Sequence, residues 1–117
     1  MKKLENELST SEYTLIEYND EYTTKACNDY QILSIYKLLT LCVIHFQEGA
    51  INDSKINGIF MEDLLSICLH RLQCFQLTEF KCPENEEAIF CISNALKALR
   101  QRTIDRQNRN VLGTEQI

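Results

Sequence analysis

Four of the five arginines of this chain, Arg100, Arg102, Arg106 and Arg109, fall within ten consecutive positions. Asp105 is the only carboxylate among those ten, so the stretch carries a local charge of +3 in a chain of formal net charge −5. If the helical pattern before them continues, Arg102, Arg106 and Arg109 sit at i, i+4 and i+7 and share one face. Like charges on one face repel, which a helix tolerates best with an anion between them. A guanidinium also forks bidentately onto phosphate, which an ammonium cannot do. The pattern reads as an anion site. Cationic side chains also complement the dipole at a helix C-terminus, and Gly113 stands where a cap or turn glycine would, so charge alone leaves a structural role open.

Catalytic chemistry has few candidates. There is no G-x-S-x-G, H-E-x-x-H, Walker or Gly-rich dinucleotide motif. Asp105 and Glu115 are the only carboxylates near the arginines. Binding without turnover, with no cofactor and no metal, fits better than proton transfer. The six cysteines, Cys27, Cys42, Cys68, Cys74, Cys82 and Cys91, form no C-x-x-C pair. Cys68, His70, Cys74 and Cys82 come closest to a ligand set, but on one helix Cys68 and His70 point about 200° apart. They read as buried free thiols packing as small apolar residues. His45 and His70, each within an expected apolar helix, read as structural.

The elements that must position the arginines read as mostly α. With three glycines and one proline in 117 residues, helix is favoured over a turn-rich β fold. The length suits a single domain over 1–117, divided into a polar segment 1–24, a helical core 25–110 and a Gly-Thr tail 111–117. Within 1–24, Tyr13 to Tyr18 is β-prone and ends at the turn-like Asn19-Asp20; such a strand needs a partner strand or a second chain. From about Asn28 to Gln47, Ile32, Ile35, Tyr36, Leu39, Val43 and Phe46 form a stripe at helical spacing, with Leu33, Leu38, Leu41 and Ile44 off it. A helix so apolar all round belongs in a core or between subunits. A second helix spans about Phe60 to Thr78, Lys81-Cys82-Pro83 breaks it, and a third follows with Glu84, Glu86 and Glu87 in its first turn. The expected fold is an antiparallel helical hairpin plus an additional long helix and a short N-terminal β segment, assembled as a homo-oligomer. No apolar run is long enough to span a membrane, and no apolar stretch follows the N-terminal lysines as in a signal peptide, so a cytoplasmic location is expected. The acidic balance argues against a nucleic-acid polymer as partner.

The run Glu87-Ala-Ile-Phe-Cys-Ile-Ser-Asn-Ala-Leu-Lys-Ala-Leu-Arg-Gln-Arg-Thr103, then Asp105-Arg-Gln-Asn-Arg-Asn-Val-Leu-Gly-Thr114, resembles a phage helical-hairpin family. There a helix ends in an Arg-Thr pair, followed by basic residues and a Val-x-Gly-Thr turn. Its members are sponges for nucleotide second messengers of bacterial immunity. One branch takes the cyclic oligonucleotides of CBASS, the other the cyclic ADP-ribose isomers of Thoeris defence. The longer N-terminal region and Asn85 resemble the Thoeris branch, the Thoeris anti-defence protein one family. The match is specific in the tail, looser over 25–84, and slight over 1–24. The resemblance implies capture of a cyclic nucleotide without cleavage in the infected cell. It implies Arg102 on the pyrophosphate, Arg106 and Arg109 as further basic contacts, and the Gly113-Thr114 turn offering backbone amides. Phe75 resembles the aromatic that packs on adenine, although it also completes the apolar stripe of the second helix. Asn85 resembles the polar residue facing the base or ribose. Arg71, one turn before Phe75, is a further candidate contact or a surface arginine.

Asn85 and Arg102 lie seventeen positions apart, roughly 25 Å along a continuous helix. One small nucleotide cannot reach both in one protomer. An antiparallel two-fold dimer would create two composite sites, with a hexamer left open. The rival reading is a helical protein–protein module acting on a host factor, marked by a stable exposed apolar surface and no response to small molecules.

Overall fold

The computed structural model describes residues 1–8, 12–23, 25–36 and 38–117. The chain divides into two compact units, Met1–Ile59 and Phe60–Ile117. The first is a four-stranded antiparallel meander in the order β1-β2-β3-β4. Its strands are β1 (Lys2–Lys3), β2 (Thr14–Tyr18), β3 (Asp29–Ser34) and β4 (Thr40–His45). The second holds α2 (Met61–Gln76) and α3 (Pro83–Asn108), while a single turn, α1 (Ile51–Ser54), belongs to the first.

The fold class is therefore α plus β, and the expected mostly-α hairpin architecture is wrong. The long first helix expected over 28–47 is instead β3, a turn and β4. Ile32, Val43 and Ile44 are β-branched and Tyr30 is aromatic, and such residues pack well on a pleated surface. The turn escaped notice because it contains no Gly, Pro or Asn. Leu38 adopts the left-handed conformation itself at φ 51°, while Leu39 N–H bonds the Ser34 hydroxyl at 3.2 Å and Ser34 N–H bonds the Leu39 carbonyl at 2.9 Å. A register shift between Ile32 and Leu33 further breaks the alternation that marks a strand.

Side chains facing each other across the ladder lock its register. Glu17 and Gln31 are direct partners and bond at 2.6 Å; Asp29 and His45 do the same at 2.6 Å. His45 is thus a strand residue whose ring bonds the Asp29 carboxylate, with Glu48 4.0 Å from its other nitrogen, rather than a helix residue. The β2 strand finds its partners, β1 and β3, within its own chain. The core of this unit is small: Leu33 and Ala50 are its buried apolar residues among those described. Tyr30 meets the Phe46 ring edge-on at 5.7 Å, and burial, then the Cys27 thiol and Tyr22, pushes its phenol above the ordinary tyrosine range.

After β4 the chain returns beside its own end. Phe46 and Ile59 form a parallel bridge, and Gln47 and Asn57 reciprocally bond the loop between them, Asn57 accepting from Glu48 N–H at 2.9 Å and donating to its carbonyl at 2.8 Å. Gly58 makes this closure possible: a Cβ there would lie 2.5 Å from the Phe46 carbonyl carbon and 2.6 Å from the His45 oxygen. Gly58→Ala is expected to destabilise the sheet unit by about 1–3 kcal/mol, because backbone must shift to admit the methyl group. Urea unfolding followed through the sheet's tyrosines measures it, and an unchanged midpoint would contradict the close approach.

Candidate functional site

The site is assembled at the end of α3, so that helix comes first. Pro83 occupies its first turn with Glu84 and Glu86, where missing N–H bonds and negative charge are both favourable. α2 begins similarly: the Asp63 carboxylate accepts the Phe60 N–H at 2.9 Å. The link between the helices is fastened by Gln76, which donates to the Cys82 carbonyl at 3.2 Å and to Glu86 at 2.8 Å and accepts from Cys82 N–H at 3.1 Å. Glu62, early in α2, shares a small cleft with Leu96, Leu99, Arg100 and Thr103, late in α3, so the two helices run antiparallel. Leu64, Leu65, Leu69 and Leu72 line up with Ile92, Leu96 and Leu99 as half-buried apolar positions, and no residue of either helix is fully buried.

α3 continues unbroken through Arg106 and is capped at Arg109. Asn110 turns into the left-handed region at φ 57°, its N–H bonding the Gln107 carbonyl at 3.0 Å while Val111 N–H reaches the Arg106 carbonyl at 3.0 Å. This is a Schellman ending. Its signal was available, since Asn follows Gly as the residue best suited to that conformation.

Beyond the cap the chain folds back over the arginines. Arg106 Nη2 donates to the carbonyls of Val111 and Thr114, both at 3.0 Å, and Nη1 to that of Gln116 at 2.8 Å. Arg109 Nη1 donates to the Ile117 carbonyl at 2.9 Å. Gly113, at φ 79°, and the Thr114 hydroxyl on the Val111 carbonyl at 2.5 Å complete the loop. A shallow cleft of about 420 Å³ remains, lined by Gln101, Arg102, Asp105, Arg106, Arg109 and Ile117. Asp105 is engaged by Gln101 at 2.9 Å.

The electrostatics are one-sided. Among the described residues no arginine has a carboxylate within ion-pair distance, although the chain carries 17 Asp and Glu. The partners of Arg106 are peptide carbonyls, which orient its guanidinium without cancelling its charge, while Arg109 bonds the backbone oxygen of Ile117. Arg102 has no hydrogen-bond partner among the described residues.

The other assigned residues lie at the opposite end of the helix pair. Arg71 stacks over the Phe75 ring at 5.1 Å, and Phe75 is 36% exposed, so it does not serve as closed core. Asn85 is half-buried in the first turn of α3. Within one chain, Arg102, Arg106, Arg109, Gly113 and Thr114 are brought together, whereas Arg71, Phe75 and Asn85 are held away from them by the length of α3. A larger cleft of about 690 Å³ opens at this end, lined by Gln76, Lys81, Cys82, Pro83, Glu86 and Glu87. The cysteines are not the buried packing residues expected: Cys42, Cys68, Cys74 and Cys91 are exposed. His70 pairs loosely with Cys74, 3.8 Å away one turn on, and no group of three or more metal-ligating side chains occurs among the described residues.

Fold and site define a class: a small α plus β chain in which the long helix α3 ends in a cluster of arginines with no Asp or Glu partner among the described residues. No family model matches the sequence. Among curated proteins the chain is 41% identical over 76 residues to Thoeris anti-defense 1 of Bacillus phage SBSphiJ7, a match that covers 65% of this chain and 54% of that relative. Over the stretch that aligns, the chain is similar to this Thoeris anti-defence protein. It spans about half the length of the relative it matches.

Gln76→Ala removes three hydrogen bonds at the helix link in one step. It is expected to cost about 1–3 kcal/mol, with Gln76→Glu also destabilising because it faces Glu86. Thermal unfolding of both variants checks this; full stability in Gln76→Ala would mean the link is held by packing alone.

Proposed function

We propose that the protein is a phage anti-defence factor that captures a nucleotide second messenger of Thoeris immunity, a cyclic ADP-ribose isomer, and holds it without cleaving it. One observation carries the reading. In an acidic chain, the arginine cluster at the end of α3 is left without any carboxylate partner among the described residues, which is the electrostatic preparation an incoming anion needs. The relative's name, an anti-defence protein against Thoeris, supports the same direction. Arg102 and Arg109 grip the pyrophosphate with Arg106 as the third cation of that face, and backbone amides of the Gly113-Thr114 turn reach the remaining oxygens. Tight binding, not turnover, removes the messenger in this reading: among the described residues the cleft offers Asp105 as its one carboxylate, and Gln101 engages it.

The adenine end of the ligand requires Phe75, Asn85 and Arg71, roughly 25 Å away along the helix. A second copy in antiparallel two-fold arrangement supplies them, giving two composite sites per dimer. The exposed surface supports such an assembly. Two separate compact bodies of half this chain's mass would together expose about 8,000 Å² by the usual scaling. The chain exposes 9250 Å², with Ile67, Phe80 and Phe90 among the large apolar side chains left uncovered in the helical unit. Such a surface also suits a protein–protein module, the second reading, which predicts no small-molecule response.

Thermal unfolding with cyclic ADP-ribose isomers, cyclic dinucleotides and cyclic trinucleotides, followed by heat release and chromatography, tests the proposal. A large rise in Tm with one ligand, recovered intact, is expected. No shift with any of them would sink it in favour of protein docking, and a hydrolysed product would make it an enzyme. Arg102→Ala is expected to weaken ligand binding about ten- to a hundredfold while leaving unligated Tm unchanged, since a charge-assisted bond is lost from an exposed side chain. Isothermal titration reads that difference.

A further inference from the structure

The fold-back of the last residues gives the two terminal arginine contacts different roles. Resting on the anion site proposed above, we propose that Glu115–Ile117 is an autoinhibitory strap: its carbonyls occupy the donors that an anionic ligand uses, and the ligand displaces it. Arg106 is the pivot. Its Nη2 grips Val111 and Thr114 within the loop that follows the helix cap, and that loop has its own closure, with Thr114 N–H on the Val111 carbonyl at 3.1 Å. Its Nη1, together with Arg109 Nη1, holds only Gln116 and Ile117. Apart from a bond of 3.3 Å from Gln116 N–H to the Thr114 hydroxyl, no other hydrogen bond or ion pair among the described residues fastens residues 115–117, all of which are exposed.

Exchange is favoured by charge. The strap offers Arg106 Nη1 a single bond to the uncharged Gln116 carbonyl, whereas a phosphate brings an opposite charge and can accept two parallel bonds from one guanidinium. The strap thereby keeps Arg106 and Arg109 extended and aimed at one cleft in the free protein, at the cost of a competitor that must leave. Glu115 adds a negative charge to the displaced segment, which discourages weak monoanions. Arg106 Nη2 stays on the loop throughout, so the Gly113-Thr114 turn keeps its shape while the segment beyond it opens.

The test uses the full chain with inorganic pyrophosphate as probe. Glu115, Gln116 and Ile117 are replaced by glycines, which raises the entropy of the segment while keeping its length. Glu115→Gln serves as control for charge alone. The glycine variant is expected to bind pyrophosphate about three- to tenfold more tightly than the natural chain, with the control gaining less. Backbone ¹⁵N relaxation of the natural chain is expected to show residues 115–117 ordered when free and mobile when saturated, with residues 111–114 ordered in both states. If pyrophosphate binds but the strap stays ordered, or the glycine variant binds no more tightly, the strap is overturned and the anion site stands. A strap already mobile in the free protein overturns it equally. If pyrophosphate binds neither protein, the anion site fails and the strap with it.

Discussion

Uncompensated positive charge at the end of α3 is the constraint on which the functional half of the molecule depends. Arg100, Arg102, Arg106 and Arg109 follow one another within about two and a half turns, and no Asp or Glu comes within ion-pair distance of any of them among the described residues. Such a cluster would splay into water if nothing held it. The chain's answer is to bend its last residues back so that backbone carbonyls take up the guanidinium donors of Arg106 and Arg109. Carbonyls satisfy hydrogen bonding and leave the charge in place. The Schellman ending at Asn110 and the left-handed Gly113 are the backbone conditions for that bend.

The two units contribute unequally to the candidate site. The assigned residues all lie in Phe60–Ile117, where half-buried leucines of α2 and α3 pair the helices and Gln76 fixes their link. The meander of Met1–Ile59 is organised by paired polar side chains across its ladder, Glu17 with Gln31 and Asp29 with His45, more than by a deep core. Its outer strand β4 leaves Leu41 and Val43 well exposed. An apolar edge strand in that state is a liability in a lone monomer and an asset in an assembly.

Similarity to a relative and local geometry supply different information about this chain. The relationship to a Thoeris anti-defence protein rests on 76 aligned residues and says nothing about which side chain does what. The arrangement at the helix end says which cations are available and how they are aimed. Within one chain, the length of α3 keeps Arg71, Phe75 and Asn85 away from the arginine cluster.

The arginine cluster was legible in the residues because its signal is local. Helical spacing puts Arg102, Arg106 and Arg109 on one face whatever else the chain does, and Pro83 with its following acids marks the start of the helix that carries them. The segment from Asn28 to Gln47 was not legible, because its apolar residues satisfy both periods. Its turn depends on Leu38 accepting a left-handed conformation that no turn residue announces. Only pairing with β2 and β4 decides between helix and strand there, through ladder bonds and the facing Glu17–Gln31 and Asp29–His45 pairs. The grip of Arg106 on Val111, Thr114 and Gln116 likewise needed the tertiary structure. Sequence counts the charges, but where a guanidinium ends depends on how the backbone beyond the cap turns back.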